Sequence, residues 1–304
     1  MNVDIRHLRA FLTVAAEQNF TRAAERLHIT QPTLSVIIRD LETALNVKLF
    51  DRTTRSVNLT VAGRYLLPDA RRMVRDMERT LADIRSITDL EQGSVKLAVL
   101  PSIATSLVPA ALASFCRQYP AIDIQIIDCP ADGIIAAVEA SDADLGITVL
   151  TPELAAGYST TLLAQDALVA VLPAAHPLAQ NSAVTWKALG AESLIAMRTG
   201  TSVRHLMDKN AILATWNLQV AFEVSYMSSA IALTQAGLGI AVLPSLGVGS
   251  LDETELSVRP LLEPRITRQI ALIQRKDRWI PPAAEAFKAT LQSLSLYADE
   301  PGER

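Results

Sequence analysis

The segment Thr30 to Arg39 carries hydroxyl, amide and guanidinium groups at spacings that suit reading a surface rather than breaking a bond. At 100° per residue, with Leu34 set to zero, Leu34, Ile37, Ile38, Leu41 and Leu45 fall within about 60° of one line, while Pro32, Ser35, Val36 and Arg39 fall between about 100° and 200°. The first set is a buried stripe, and the second faces away from it. A small, mostly uncharged face with one guanidinium can enter a major groove closely and still reach a base edge or a phosphate. The alternative is an ordinary solvated helix face. A few residues on, Arg52 and Arg55 sit at the tip of a strand-turn-strand pattern, Lys48 to Thr60, in which Leu49, Phe50, Val57 and Leu59 are apolar. Cations on such a tip suit phosphate or minor-groove contact, with solubility as the plain alternative.

A second set of polar residues lies where predicted strands end and helices begin. Ser102 follows a strand and opens a helix, Thr148 ends another strand, Thr199, Thr201 and Ser202 open a helix, and Met227 starts one more. Free N–H groups at helix starts and strand ends are where two-lobed α/β folds hold small anions, so a cleft for a small-molecule effector is expected, its class open and a small carboxylate one candidate. For Ser102 the competing reading is a plain helix cap, and for Met227 a core residue.

Enzyme chemistry finds little support. There is no H-E-x-x-H, G-x-S-x-G, G-x-x-x-x-G-K-[ST] or G-x-G-x-x-G, and the four histidines (7, 28, 176, 205) are scattered. Cys116 and Cys129, the only two cysteines, fit no metal spacing and no disulfide framework, as expected of a reducing cytosol. A thiol redox sensor remains a second reading of that pair. No metal or cofactor is expected.

These groups need elements to hold them. Ile5, Leu8, Phe11, Leu12 and Ala15 form one face of a first helix. Thr21 is expected to cap a second helix bearing Ala23, Ala24 and Leu27, with Phe20 packing back on it. His28-Ile29 is a tight turn. Thr30 caps a third helix with Pro32 in its first turn, where a missing N–H costs nothing. Together with the strand-turn-strand that follows, this is a winged helix-turn-helix. Leu67, Ala70, Val74, Met77, Leu81 and Ile84 then step by 3 and 4, the a/d seam of a long amphipathic helix, expected to pair with a second copy of itself, with packing on its own domain as the alternative, and to kink at Pro68.

From about residue 93 the texture changes to short β-rich runs alternating with helical segments, the mark of βαβ units. Strands are expected at 95–100, 123–127, 145–149, 167–172, 194–197, 219–224, 240–243 and 269–274, and helices at 103–118, 131–140, 202–215, 228–236 and 281–297. The domains expected are residues 1–60, a linker helix 61–92, and a two-lobed α/β domain 93–304. Lobe I takes 93–164 and 268–304 and lobe II 165–267, with crossovers near 163–165 and 265–267. The chain of 304 residues is acidic overall, but residues 1–90 hold 14 Lys+Arg against 11 Asp+Glu, whereas 91–304 hold 14 against 21. A basic head precedes an acidic body, which reverses the argument against nucleic acid that the whole-chain charge suggests. Val224 to Leu251 carries no charge over 28 residues, yet its glycines, Pro244 and polar residues break it into short elements rather than a membrane span. The N-terminus shows no secretory h-region, so a cytoplasmic protein starting at Met1 is expected.

The runs Leu8-Arg-Ala-Phe-Leu12, Asn19-Phe-Thr-Arg-Ala-Ala-Glu-Arg-Leu27, Thr30-Gln-Pro-Thr-Leu-Ser35, Leu41-Glu42, Leu49-Phe-Asp-Arg52 and Leu59-Thr-Val-Ala-Gly63 resemble the LysR-type transcriptional regulators. Gly93-Ser-Val-Lys-Leu97, Ala143-Asp-Leu-Gly-Ile147, His176-Pro-Leu-Ala179 and Gly237-Leu-Gly-Ile-Ala-Val-Leu-Pro244 extend the likeness along the chain. The resemblance implies a DNA-binding dimer or tetramer whose C-terminal domain, folded like a periplasmic binding protein, senses a small molecule, with RNA polymerase a further candidate partner. It implies DNA contacts at Gln31, Thr33, Ser35 and Val36 and a wing contact at Arg52. At Val36 relatives often carry Arg or His; valine cannot donate to guanine but can pack on a thymine methyl. Where some relatives place Thr or Ser after the second strand, this chain has Ala131.

Overall fold

The protein is described by a computed structural model that covers residues 3–52, 57–86, 93–249, 251 and 254–294. The chain divides into two compact units, Met1–Arg85 and Ser86–Arg304.

The N-terminal unit holds α1 (Ile5–Glu17), α2 (Phe20–Arg26), α3 (Gln31–Leu45), the hairpin β1 (Phe50–Arg52) and β2 (Val57–Leu59), and α4 (Val61–Ser86). Asp4 caps α1 in a reciprocal arrangement with His7. The cap of α2 is Asn19, not Thr21: the Asn19 Oδ1 accepts from the amides of Thr21 and Arg22 at 2.9 and 3.1 Å. Asparagine at the extended residue before Phe20 reaches those two orphan donors, so Thr21 is already inside the helix. His28, at φ +55°, closes the turn between α2 and α3. Thr30 caps α3 with Pro32 in its first turn.

Leu34, Ile38 and Leu41 of α3 are fully buried against Phe11 and Val14 of α1 and against Phe50. Ile37 and Leu45, at the edges of the expected stripe, are only half-buried. The Phe50 ring lies 5.4 Å from that of Phe11 and 6.1 Å from that of Phe20, which ties the hairpin to both helices. Gly63 allows α4 to start against the hairpin, because a Cβ there would lie 2.3 Å from the Leu49 carbonyl oxygen.

The long helix is not a free linker over its whole length. Ala70 and Val74 are buried in the unit's own core, Leu66 and Leu67 are half-buried against it, and Arg9 of α1 pairs with Glu78 at 2.9 Å. Ala70 and Val74 therefore leave the expected self-pairing seam, since the head already covers them. Met77 and Leu81, 43% and 47% exposed, remain open. Ile84 lies in α4, but its side chain is outside the described residues, as are the side chain of Arg52 and all of Arg55. Pro68 lies inside the continuous helix.

The C-terminal unit runs β3 (Gly93–Val99), α5 (Pro101–Ala104), α6 (Leu107–Gln118), β4 (Ile122–Asp128), α7 (Ala131–Glu139), β5 (Leu145–Val149), α8 (Pro152–Gly157), β6 (Tyr158–Pro173), β7 (Val184–Thr185), α9 (Trp186–Leu189), β8 (Ser193–Met197), α10 (Ser202–Lys209), α11 (Ile212–Thr215), β9 (Gln219–Val224), α12 (Met227–Gln235), β10 (Ile240–Pro244), β11 (Leu256–Leu262), β12 (Thr267–Arg275) and α13 (Pro282–Ser293). Short 3₁₀ turns occupy Pro177–Gln180 and Ser245–Val248. The strand order is β4-β3-β5-β12-β6-β10-β8-β9, with β11 pairing β6 and β7. One core gathers residues 95–164 and 270–291, and the other residues 168–266. The single strand β6 serves both, its first half pairing with β12 and its second with β10 and β11.

Three expectations change here. Strand β6 begins nine residues before the expected 167, because Ser159, Thr160, Thr161, Gln165 and Asp166 mask its apolar alternation while pairing with β12 supplies its order. Strand β11, with Arg259 and Pro260, lies where no strand is expected, and its pairing with β6 and β7 makes it one. The helices expected at 103–118 and 202–215 are each two helices, broken at Thr105–Ser106 and at Asn210–Ala211, where Ala211 adopts φ +51°. A residue in the left-handed region cannot continue an α-helix.

Candidate DNA-reading face and ligand cleft

In the N-terminal unit, α3 presents Gln31, Pro32, Thr33, Val36 and Arg39 exposed and Ser35 half-buried. Two polar pairs order the start of the helix. The Gln31 Nε2 donates to Ser35 Oγ at 3.0 Å, and the hydroxyls of Thr30 and Thr33 lie 2.8 Å apart. Thr33 therefore shares its hydroxyl with the cap. Val36 is 47% exposed and lies one turn from Pro32, giving a small apolar patch beside the polar pair. Arg39 has no hydrogen bond or ion pair among the described residues, whereas Arg6, Arg9 and Arg26 of the same unit are each tied to a carboxylate. Its guanidinium is free to meet an external acceptor.

What fixes the hairpin against this helix is a buried charge that periodicity did not reveal. Glu42 is buried, and one carboxylate oxygen accepts from the amides of Leu49 and Phe50 at 2.9 and 3.3 Å while the other meets Lys48 Nζ at 3.0 Å. Burial pushes the Glu42 carboxyl upward, but the Leu49 amide, Lys48 and the Phe50 amide outweigh it and hold the group below its usual range. The signal available in the sequence was a carboxylate on the flank of the apolar stripe, six residues before a lysine.

In the C-terminal unit, a cavity of about 240 Å³ opens between the two cores. Ser102, Thr201, Ser202 and Met227, all expected there, line it together with Asp128, Pro130, Tyr226, Ser228 and Arg268. Thr148 and Thr199 do not. Thr148 is buried within the sheet opposite Ala271, and Thr199 is exposed beyond the end of β8. Neither lines the space that the strand-end rule assigned to Thr148 and the helix-start rule to Thr199. Ser102 does not cap its helix, the N-cap being Leu100. Its Oγ instead accepts from the Arg268 Nη2 at 2.8 Å.

Arg268 organises this cleft, and no period or motif singles it out in the sequence. The guanidinium donates to Asp166 Oδ2 through Nε and Nη2 at 2.9 and 2.6 Å, and to Ser202 Oγ through Nη1 at 2.8 Å. The other oxygen of Asp166 accepts from Ser245 Oγ at 2.7 Å and from the Leu246 amide at 3.1 Å. Both charges are almost fully buried. Burial works to lower the Arg268 pKa and Asp166 opposes it. One side chain thus links Ser102 beside the first core to Ser202 beside the second. Gly247 packs close to two of the lining residues, since a Cβ there would meet Met227 Sδ at 2.6 Å and Ser102 Cβ at 3.2 Å.

Three of the four histidines have structural settings. His7 and His176 cap helices, and His28 occupies the left-handed turn. Cys116 is exposed and Cys129 half-buried, and burial together with the neighbouring Asp128 pushes the Cys129 thiol up, away from the reactive thiolate. Among the described residues no group of His, Cys, Asp and Glu could hold a metal ion, and no helix is long and apolar enough to cross a membrane.

Comparison with known proteins agrees with both halves of this description. Residues 5–64 match the family described as bacterial regulatory helix-turn-helix protein, lysR family, and residues 88–295 match the LysR substrate binding domain. The uncharacterized HTH-type transcriptional regulator YbhD of Escherichia coli K12 is 33% identical over 99% of this chain and 94% of its own length. YfeR of Shigella flexneri is 31% identical over 100% and 98%. Among solved structures, full-length CbnR with its target DNA superposes with a TM-score of 0.72 at 23% identity, covering 96% of this chain and all of that one. A full-length OxyR variant of Pseudomonas aeruginosa gives 0.70 at 24%, covering 97% and 96%. With a helix-turn-helix at its start, a two-lobed binding domain behind it and relatives that match it end to end, this chain belongs to the LysR family of transcriptional regulators.

Proposed function

We propose that this LysR-type regulator reads DNA through the exposed face of α3, with Arg39 and the Gln31–Ser35 pair as its polar contacts and Val36 and Pro32 as its apolar surface. Arg52 and Arg55 supply cations on the wing, and Thr33 contacts the backbone at the start of the helix. The observation that carries this reading is the Arg39 guanidinium, exposed and without a partner among the described residues on the outward face of a capped recognition helix. It acts in the cytoplasm as a homodimer, or a dimer of dimers, paired through the exposed face of α4 on which Met73, Met77 and Leu81 lie open. Two heads on one dimer then read an interrupted palindrome, with half-sites spaced by whole turns of the duplex. We read the protein as a regulator rather than an enzyme.

The cleft of the C-terminal unit takes the effector, a small molecule with a carboxylate. Support comes from Ser102 and Ser202 in one cavity with a buried guanidinium, and from the N-termini of α10 and α12 bordering it. Closure of the two lobes on the ligand changes how dimers associate and so how the bound DNA is bent. Footprinting the full chain on the DNA flanking its own gene, with and without metabolites of neighbouring pathways, tests this. Two protected half-sites whose pattern shifts with one ligand are expected. A single protected half-site overturns the dimer reading, and a footprint indifferent to every ligand overturns the sensing reading.

A further inference from the structure

The walls of the cleft hold donors without protein acceptors and, apart from them, a carboxylate without a protein partner among the described residues. A guanidinium carries five N–H donors. Arg268 spends three on Asp166 and Ser102 and one on Ser202, so one Nη1–H has no acceptor among the described residues. Because Ser102 and Ser202 both accept from Arg268, and neither hydroxyl hydrogen has an acceptor among the described residues, both serines are left as donors to whatever fills the cavity. Three donors on buried or half-buried groups therefore ask for an oxygen-rich, anionic end.

Asp128 asks for the reverse. It is the last residue of β4 and pairs with Val99, three positions before Ser102 on the adjacent strand, so the two side chains share one end of the sheet. It lines the same cavity and has no hydrogen-bond or ion-pair partner among the described residues. Asp128 is exposed at the cavity wall; partial desolvation pushes its carboxyl up, and a cation beside it favours the charged form. Arg268 is neutralised by Asp166, so Asp128 is the uncompensated charge of the cavity wall.

We propose that the effector is a small zwitterion of the amino-acid class, its carboxylate held by Ser102, Ser202 and the free Nη1–H of Arg268 and its ammonium by Asp128. This rests on the reading of the cleft as the effector site and adds the charge pattern of the ligand. A plain carboxylate satisfies only the first half of the wall and leaves Asp128 facing an anion-bearing molecule unpaired.

Isothermal titration of the full chain tests it, with the twenty proteinogenic L-amino acids, β-alanine and 4-aminobutyrate as probes, each beside the matched hydroxy or carboxylic acid that lacks the ammonium. At least one amino acid binds, and its ammonium-free counterpart binds at least tenfold more weakly. D128N, at an open position with no partner to lose, erases that preference, and S102A weakens both ligands. If ammonium-free acids bind as tightly as amino acids and S102A abolishes both, the zwitterion is overturned while the cleft remains the site. Binding of an amino acid that neither D128N nor S102A alters overturns the cleft itself, and no binding by any probe overturns the zwitterion.

Discussion

Each unit of this regulator buries a charge, and the two do so in different ways. In the N-terminal unit the Glu42 carboxylate is satisfied by two backbone amides and by a lysine whose own side chain stands in water. Its partners lie six to eight residues away, so it fixes a local geometry: the angle of the hairpin on α3. In the C-terminal unit the Arg268–Asp166 pair is buried on both sides and joins residues 102 positions apart. Its further bonds reach Ser102 and Ser202, one beside each core. The N-terminal unit uses a buried charge to fix its hairpin on α3, and the C-terminal unit uses one to join its two lobes around a cavity. A buried ion pair is poor evidence for stability, because desolvation consumes much of the Coulomb gain. Its place in the cleft points to organisation of the ligand site instead.

The contrast can be broken by substitution, beginning with the sensor pair. R268A leaves the buried Asp166 without its cation and should destabilise the C-terminal unit by about 3–5 kcal/mol, read as a lowered denaturant midpoint. The double variant D166L/R268M should recover most of that loss while ligand binding stays abolished. A double variant that still binds ligand normally would show the pair to be mere core.

In the head, E42A strands two buried amides and should cost about 2–3 kcal/mol, with the cavity untouched. The same group sets a pH dependence. Its folded pKa lies below the ordinary value of about 4.5, so its contribution is fully present above that value and is lost as pH falls through the lower folded one. A head stability that declines below pH 4.5 in the wild type and changes less in E42Q over the same window confirms the sign; equal slopes refute it.

Smaller effects separate reading from folding. R39A should weaken operator binding by about 1–3 kcal/mol, the scale of a good base contact, with no change in melting temperature. Unchanged affinity in a gel-shift titration removes Arg39 from the interface. T30A removes the cap of α3 and should cost about 1 kcal/mol of head stability, visible in thermal unfolding. If T30A lowers DNA affinity more than stability, the Thr30–Thr33 pair orders the reading surface as well as the helix.

Much of the head was legible because its order is local. The stripe through Leu34, Ile38 and Leu41, the cap at Thr30 and the hairpin of Phe50 and Leu59 follow from helical and strand periods over a few residues. Thr21 misled as a cap because Asn19, two residues earlier, supplies the same chemistry in a better position. In the C-terminal unit, Ser102, Thr201, Ser202 and Met227, singled out by the rule that ligands gather at strand ends and helix starts, come together around one cavity. Thr148 obeys that rule in sequence yet turns into the sheet, since the rule locates a residue along a strand without fixing which face it takes.

The sequence by itself determined the winged helix-turn-helix, the outward face of α3, the succession of βαβ units and the change of charge near residue 90, because each is written in spacing and composition over short stretches. Only the tertiary structure decided that half the seam of α4 belongs to the head's own core, that β6 serves two lobes, and that Arg268 bridges Ser102 and Ser202 while Asp128 stands open in the same cavity. Those facts depend on partners up to 166 residues apart, and no local period carries information about which distant side chain will share a buried space.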